Sequence, residues 1–159
     1  MQNTGNLKVT LPSDREIAMT RVFDAPRRLV YAAFTRPELI QRWLGPRGWT
    51  LPVCEVDLRV GGKYRYVGEG PDGTRLGWGG VFKEIEHERR IVHTEAFDDY
   101  PGEALITNVW TESGGKTTIE LTMLLASKEV RDAIIASGME HGAAESYDRL
   151  EEMLAEQAA

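Results

Sequence analysis

A single cysteine, Cys54, stands in 159 residues, so no intramolecular disulfide forms and the chain is no stapled secreted scaffold. Histidine is scarce too. The three present, His87, His93 and His141, show no H-E-x-x-H spacing and there is no paired cysteine, so no metal site is expected. No apolar run approaches the ~20 residues of a membrane span. Met1 to Asn6 is polar and lacks the basic-then-apolar order of a signal peptide, so the cytoplasm is the expected compartment. Positive charge is in deficit: 19 Lys and Arg against 25 Asp and Glu give a net charge of −6, with a pI near 5.2. Such a chain lacks the general attraction of nucleic-acid binders for phosphate and of peripheral proteins for anionic membranes. There is no G-x-S-x-G elbow for a serine hydrolase. Repeats, low-complexity tracts and Pro/Ser-rich linkers are absent as well. At 17.8 kDa the chain is one domain, large enough to bury roughly 70% of its unfolded surface unaided.

What is present is patterned. Glu16 to Phe23 alternates as a strand, with Ile17, Met19 and Phe23 on one face. Asp24 offers an N-cap and Pro26 a helix start for Pro26 to Thr35, which places Leu29, Val30, Ala33 and Phe34 at helical spacing. Arg36-Pro37 breaks that helix, and a second short one, Glu38 to Leu44, ends at Gly45-Pro46. From Trp49 to Leu125 six strands follow. Cys54, Val56 and Leu58 alternate in the first; Lys63 to Val67, Leu76 to Ile85, Ile91 to Phe97, Ala104 to Thr111 and Thr117 to Leu125 come next. Their short turns force antiparallel neighbours. Lys128 to Ala136 is a short helix capped by Ser127. Ser137-Gly138 breaks the chain and Ser137 caps a last helix, Met139 to Ala155. There Met139, Ala143, Tyr147, Leu150 and Leu154 form one apolar stripe. A curved antiparallel sheet needs a cover and the long helix is the available one, so the fold class is α+β, with space left between sheet and helix for an apolar ligand. Residues 1–9 are read as a flexible lead-in and 10–157 as the domain.

Several runs resemble a known family. Thr20-Arg21-Val22-Phe23-Asp24-Ala25-Pro26 and Val30-Tyr31-Ala32-Ala33-Phe34-Thr35 resemble the opening of START-like (SRPBCC) helix-grip proteins. Trp43-Leu44-Gly45-Pro46, Gly61-Gly62-Lys63-Tyr64-Arg65-Tyr66, Glu88-Arg89-Arg90-Ile91-Val92, Ser137 to Gly142 and Tyr147-Asp148-Arg149-Leu150 narrow the match. They resemble the bacterial branch related to the C-terminal domain of the activator of heat-shock protein ninety ATPase. The likeness spans about residues 10 to 155. It implies a helix-grip fold: a curved sheet around a long C-terminal helix, with two short helices closing one end. It also implies a hydrophobic small molecule, lipid-like or polyketide/phenolic-like, as the partner in a central cavity. Relatives that catalyse cyclisation or hydrolysis there make an enzyme the alternative. A co-chaperone role in the stress response is a further one, although one domain leaves no room for the co-chaperone's separate N-terminal unit. Where the family often has a second tryptophan before Gly-Pro, this chain has Leu44, which bears on ligand preference if that position lines the mouth. No cofactor is implied, and homodimerisation stays open.

Individual motifs sort into chemistry and packing. Gly68-Glu69-Gly70-Pro71-Asp72-Gly73 matches G-x-G-x-x-G, but a strand follows it rather than a helix, so it reads as a hairpin. Cys54, which alternates with Val56 and Leu58 on one strand, reads as a buried, inert thiol. His93 alternates with Ile91, Glu95 and Phe97. If that face looks into the cavity, His93 and Glu95 are a proton-transfer pair and the candidate catalytic residues; the alternative is a solvated outer face. Of the four tryptophans, Trp43 suits the cavity mouth, and Trp78 lies among Gly77, Gly79 and Gly80, which leave room for a ring or ligand. The candidate ligand-binding residues are Trp43, Tyr66, Trp78, His93, Trp110, Met139, Ala143 and Tyr147. The small residues Ala143 and Ala144 in the helix stripe either admit closer packing or leave a hollow.

Overall fold

The computed structural model describes residues 7–158. Its elements run β1 (Lys8–Thr10), β2 (Glu16–Phe23), α1 (Arg27–Thr35), α2 (Pro37–Trp43), β3 (Thr50–Val56), β4 (Lys63–Glu69), β5 (Arg75–Glu86), β6 (Arg90–Phe97), β7 (Ala104–Ser113), β8 (Lys116–Leu124), α3 (Lys128–Ala136) and α4 (Met139–Ala158). The strands form one eight-stranded antiparallel sheet in the order β1-β2-β8-β7-β6-β5-β4-β3. Hairpins join β3 through β8 in sequence, as their short turns require. The long excursion through α1 and α2 carries the chain from β2, next to the edge strand β1, to β3 at the opposite edge. This is the α+β helix-grip architecture, with α4 as the gripped helix.

The core sits between sheet and α4. Phe23 of β2 and Leu150 and Leu154 of α4 are almost wholly buried, and Phe23 meets Tyr147 edge-on with centroids 5.8 Å apart. Burying side chains of this size stabilises by about 1.5–3 kcal/mol each. One polar tie crosses the same seam: Arg21 Nη1 donates to Asp148 Oδ1 at 2.8 Å.

The local expectations fare unevenly. Residues 7–9 are not a flexible lead-in, because Leu7 is buried and Lys8–Thr10 pair with Ala18–Thr20 of β2; residues 1–6 lie outside the described part. Asp24 does not cap α1. The cap position is Pro26, two residues later, and Glu112 Oε1 of β7 accepts from the Arg27 N–H at 2.7 Å instead. Pro37 does more than break α1, since it is the first residue of α2. Leu58 lies beyond β3 rather than in it. Ser127 Oγ accepts from the Val130 N–H as a cap should, whereas Ser137 belongs to the end of α3, its hydroxyl donating to the Ile134 carbonyl. Gly138, at φ 85, takes the left-handed conformation that stops that helix.

The G-x-G-x-x-G stretch is the β4–β5 hairpin, with the Gly70 N–H donating to the Thr74 carbonyl and Gly73 at φ 86. The glycines around Trp78 do not leave slack. A Cβ at Gly80 would lie 1.9 Å from the Thr94 carbonyl oxygen, and one at Gly79 would lie 2.4 Å from that of Tyr64. They are glycine because neighbouring backbones approach where β5 meets β4 and β6.

Candidate ligand-binding cavity

Between the concave face of the sheet and α4 lies a cavity of about 420 Å³. That volume falls within the range of small-molecule sites. Strand alternation builds the wall. On β6, His93, Glu95 and Phe97 point inward; on β7, Ile106, Asn108 and Trp110; on β4, Tyr64 and Tyr66; on β5, Trp78 and Phe82. Phe34 of α1, Ile40 and Trp43 of α2 and Leu44 just after it close one end, and Met139, Gly142, Ala143 and Tyr147 of α4 form the opposite wall.

Trp43, Tyr66, Trp78, His93, Trp110, Met139, Ala143 and Tyr147, singled out from sequence, all line this space, as does Glu95. Trp49 does not; its ring covers the hairpin, 3.3 Å from where a Cβ on Gly68 would stand. The solvated outer face considered for His93 and Glu95 is excluded. The two alternatives for the helix stripe are both realised, one residue apart: Ala144 is fully buried, while Ala143 and Gly142 border the hollow. Tyr64, Phe82 and Asn108 were not anticipated as wall residues. Tyr64 shares its face with Tyr66, and Asn108 sits between Ile106 and Trp110 in the β7 alternation, so both signals were in the pattern.

The aromatic side chains are held by specific contacts. Trp43 Nε1 donates to the Ala33 carbonyl at 2.9 Å, fixing α2 against α1, and its ring lies 5.0 Å from Phe34. Trp78 stacks on Phe97 at 5.6 Å and meets Tyr66 edge-on. The Tyr64 hydroxyl donates to the Thr94 carbonyl at 2.8 Å, and its ring meets His93 edge-on at 4.9 Å.

The polar groups of the wall are few and incompletely paired. His93 Nδ1 lies 2.9 Å from the Thr94 carbonyl oxygen. A carbonyl only accepts, so Nδ1 carries the hydrogen and Nε2 presents a lone pair. Burial pulls the His93 imidazole below its ordinary pKa, which keeps it neutral at pH 7. Burial pushes the Glu95 carboxyl up to about 7. Among the described residues Glu95 has neither an ion-pair partner nor a hydrogen bond. Asn108 Oδ1 and Trp110 Nε1 are buried without a partner as well. Unpaired polar atoms are uncommon in folded interiors, so these are exceptions to the usual pairing. Cys54 is unlike them: burial first, then the nearby Glu38 carboxylate, push its thiol up to about 11, so it is no nucleophile. No group of three or more His, Cys, Asp or Glu suited to a metal occurs among the described residues, and no helix there is long and apolar enough to cross a membrane.

A curved antiparallel sheet gripping a long C-terminal helix over an apolar cavity defines the START-like class. Within it, residues 24–155 match the profile described as Activator of Hsp90 ATPase homolog 1-like protein, and the chain belongs to that family. Among solved structures, a Rhodobacter sphaeroides protein is 33% identical, with a TM-score of 0.89 over 94% of this chain and 97% of its own. A Chromobacterium violaceum protein is 28% identical, with a TM-score of 0.79 over 89% of this chain and 98% of its own. A heat-shock protein 90 activator from Plasmodium falciparum is 25% identical, with a TM-score of 0.56 over 70% of this chain and 73% of its own. No curated protein matches the sequence.

Proposed function

We propose that the protein binds a hydrophobic or aromatic small molecule bearing a polar group, in the cavity between sheet and α4. The supporting observation is the joint character of the wall. Aromatic and aliphatic side chains enclose about 420 Å³, Glu95 and His93 bring a carboxyl and an unpaired Nε2 to its lining, and the lining residues Asn108 and Trp110 carry an Oδ1 and an Nε1 that are buried and unpaired. Apolar area supplies affinity and a few placed polar groups supply orientation.

Nile red, a neutral apolar dye whose emission rises on leaving water, tests this. Wild-type protein should raise its fluorescence saturably, and Ala143→Trp, which fills the space from the α4 side, should abolish the rise while leaving the circular dichroism unchanged. A wild-type protein that leaves the dye dark, or an Ala143→Trp variant that binds it equally well, overturns the reading.

A second reading, proton transfer on the bound molecule, is favoured by one pair. Glu95 is raised to about 7 while His93, two residues away on the same wall, is neutral with a free Nε2. An acid and a base that exchange a proton near neutrality are what general acid–base chemistry requires. Turnover lost in both Glu95→Gln and His93→Gln, with Nile red binding retained, would distinguish an enzyme from a carrier.

A further inference from the structure

The charge on the cavity wall is one-sided. Neither Lys nor Arg lines the cavity among the described residues; the sole carboxylate is Glu95 and the sole imidazole, His93, is held neutral. A carboxylate without a cation or hydrogen bond in apolar surroundings is destabilising, and the usual remedy, a basic side chain alongside, is missing here.

What surrounds Glu95 is aromatic. Gly79 pairs with Ala96 and Trp78 with Phe97, which sets Gly80 opposite Glu95, and Gly80 in turn pairs with Tyr64. No side chain from β5 therefore stands between Glu95 and Tyr64. Tyr64 and Tyr66 line the same cavity as Glu95, and burial chiefly raises both hydroxyl pKa values, with the Glu95 charge a lesser cause in each. Trp78 and Phe97 complete the aromatic side. Ring faces carry negative potential and attract cations. An acidic guest would bring a second negative charge into this enclosure, whereas an ammonium would meet the carboxylate, the ring faces and, with its three N–H donors, the His93 Nε2 lone pair.

We propose that the cavity selects organic amines, the protonated nitrogen pairing with Glu95 inside the wall formed by Tyr64, Tyr66, Trp78 and Phe97 while the apolar body packs beneath Ala143. This rests on the small-molecule reading above and narrows it to a chemical class. Besides Glu95, the titratable groups facing this space are His93 on β6, Tyr64 and Tyr66 on β4 and Tyr147 on α4; burial raises the three phenols, which stay neutral, and pulls the His93 imidazole below its ordinary value.

A matched series with one aromatic body tests it by isothermal titration calorimetry: naphthylethylamine, naphthylethanol and naphthylacetate. The amine should bind about tenfold or more tighter than the acid, with the alcohol between them. Ionisation of Glu95 from about a tenth at pH 6 to about nine tenths at pH 8 should raise amine affinity about tenfold over that interval. Glu95→Gln should remove both the amine preference and the pH dependence while leaving the alcohol unaffected, and Trp78→Leu should weaken the amine more than the alcohol. Equal affinities, a preference for the acid, or a Glu95→Gln variant that still prefers the amine overturns the selectivity. If Nile red still binds in those cases, the small-molecule reading stands alone; if neither the series nor Nile red binds, both fall.

Discussion

Replacing Glu95 by glutamine keeps the shape of the side chain and removes its ionisation, so the pH dependence of the stability difference reads the cost of burying that carboxylate. Its pKa rises from an ordinary 4.5 in the unfolded chain to about 7 in the folded one. Between these values the folded state holds a proton that the unfolded state has released, so stability falls as pH rises. The contribution is fully present below about pH 4.5 and is lost as pH passes through about 7. A difference of about 2.5 in pKa corresponds to about 3 kcal/mol. Glu95→Gln should therefore exceed wild type in stability by about 1 kcal/mol near pH 5 and about 3 kcal/mol at pH 8. For a chain of this length that is a gain of roughly 6–12 °C in Tm at the higher pH. His93 titrates with the opposite sign: its lowered pKa removes stability as pH falls below its ordinary 6.5. Burial is the only cause of the Glu95 shift, and Glu95 is not among the causes of the His93 shift, so the histidine cancels in the wild-type-minus-variant difference. Urea denaturation at a series of pH values from 5 to 8 gives that difference directly. Parallel stability curves for the two proteins would refute both the burial of the carboxylate and its lack of a partner.

Three further outcomes are expected. Arg21→Met strands Asp148, whose side chain is 23% exposed, and should cost about 3 kcal/mol in urea denaturation; adding Asp148→Leu should recover much of that loss. Gly80→Ala drives a Cβ toward the Thr94 carbonyl oxygen, which can yield only by separating β5 from β6; a loss of about 1–3 kcal/mol with weakened Nile red binding is expected in denaturant and dye titrations. Cys54 should resist iodoacetamide at neutral pH in the native protein and react on unfolding, as mass spectrometry of the alkylated chain would show.

The cavity wall was legible in the sequence to the extent that strand parity is. His93, Glu95 and Phe97 share a face by alternation, and so do Tyr64 and Tyr66; which face turns inward depends on the curvature of the sheet, a property of all its strands together. Asn108 went unnoticed because a polar residue between Ile106 and Trp110 looks like a break in a buried face until the helix opposite is in place. The strand Lys8–Thr10 was hidden by its length, since three residues carry little periodicity and are held by the long β2 beside them. The cap of α1 was unreadable for a related reason: Glu112 lies 85 residues away from Arg27 in sequence. Local chemistry located the Ser127 cap and the Gly138 stop, where the bonded partners are neighbours in the chain.

That division bears on why a hollow survives in so small a domain. An apolar gap would ordinarily be closed by the helix settling onto the sheet, because unfilled volume forfeits packing. Here α4 is held from the side. Arg149 Nη1 donates to the Gly45 and Pro46 carbonyls at 2.9 and 3.2 Å, and Ser146 Oγ accepts from the Gly45 N–H at 2.9 Å. Arg21 fixes the helix to β2 at Asp148. Within the interior, Trp43 is fixed by its hydrogen bond to Ala33 and Tyr64 by its bond to Thr94, so neither ring can turn to fill the space without leaving a buried donor unpaired. Directional bonds thus set the distance between helix and sheet, and the small residues Gly142 and Ala143 make that distance empty rather than packed. Glu95 borders the space thus kept open, and a helix held at this distance brings it no partner among the described residues.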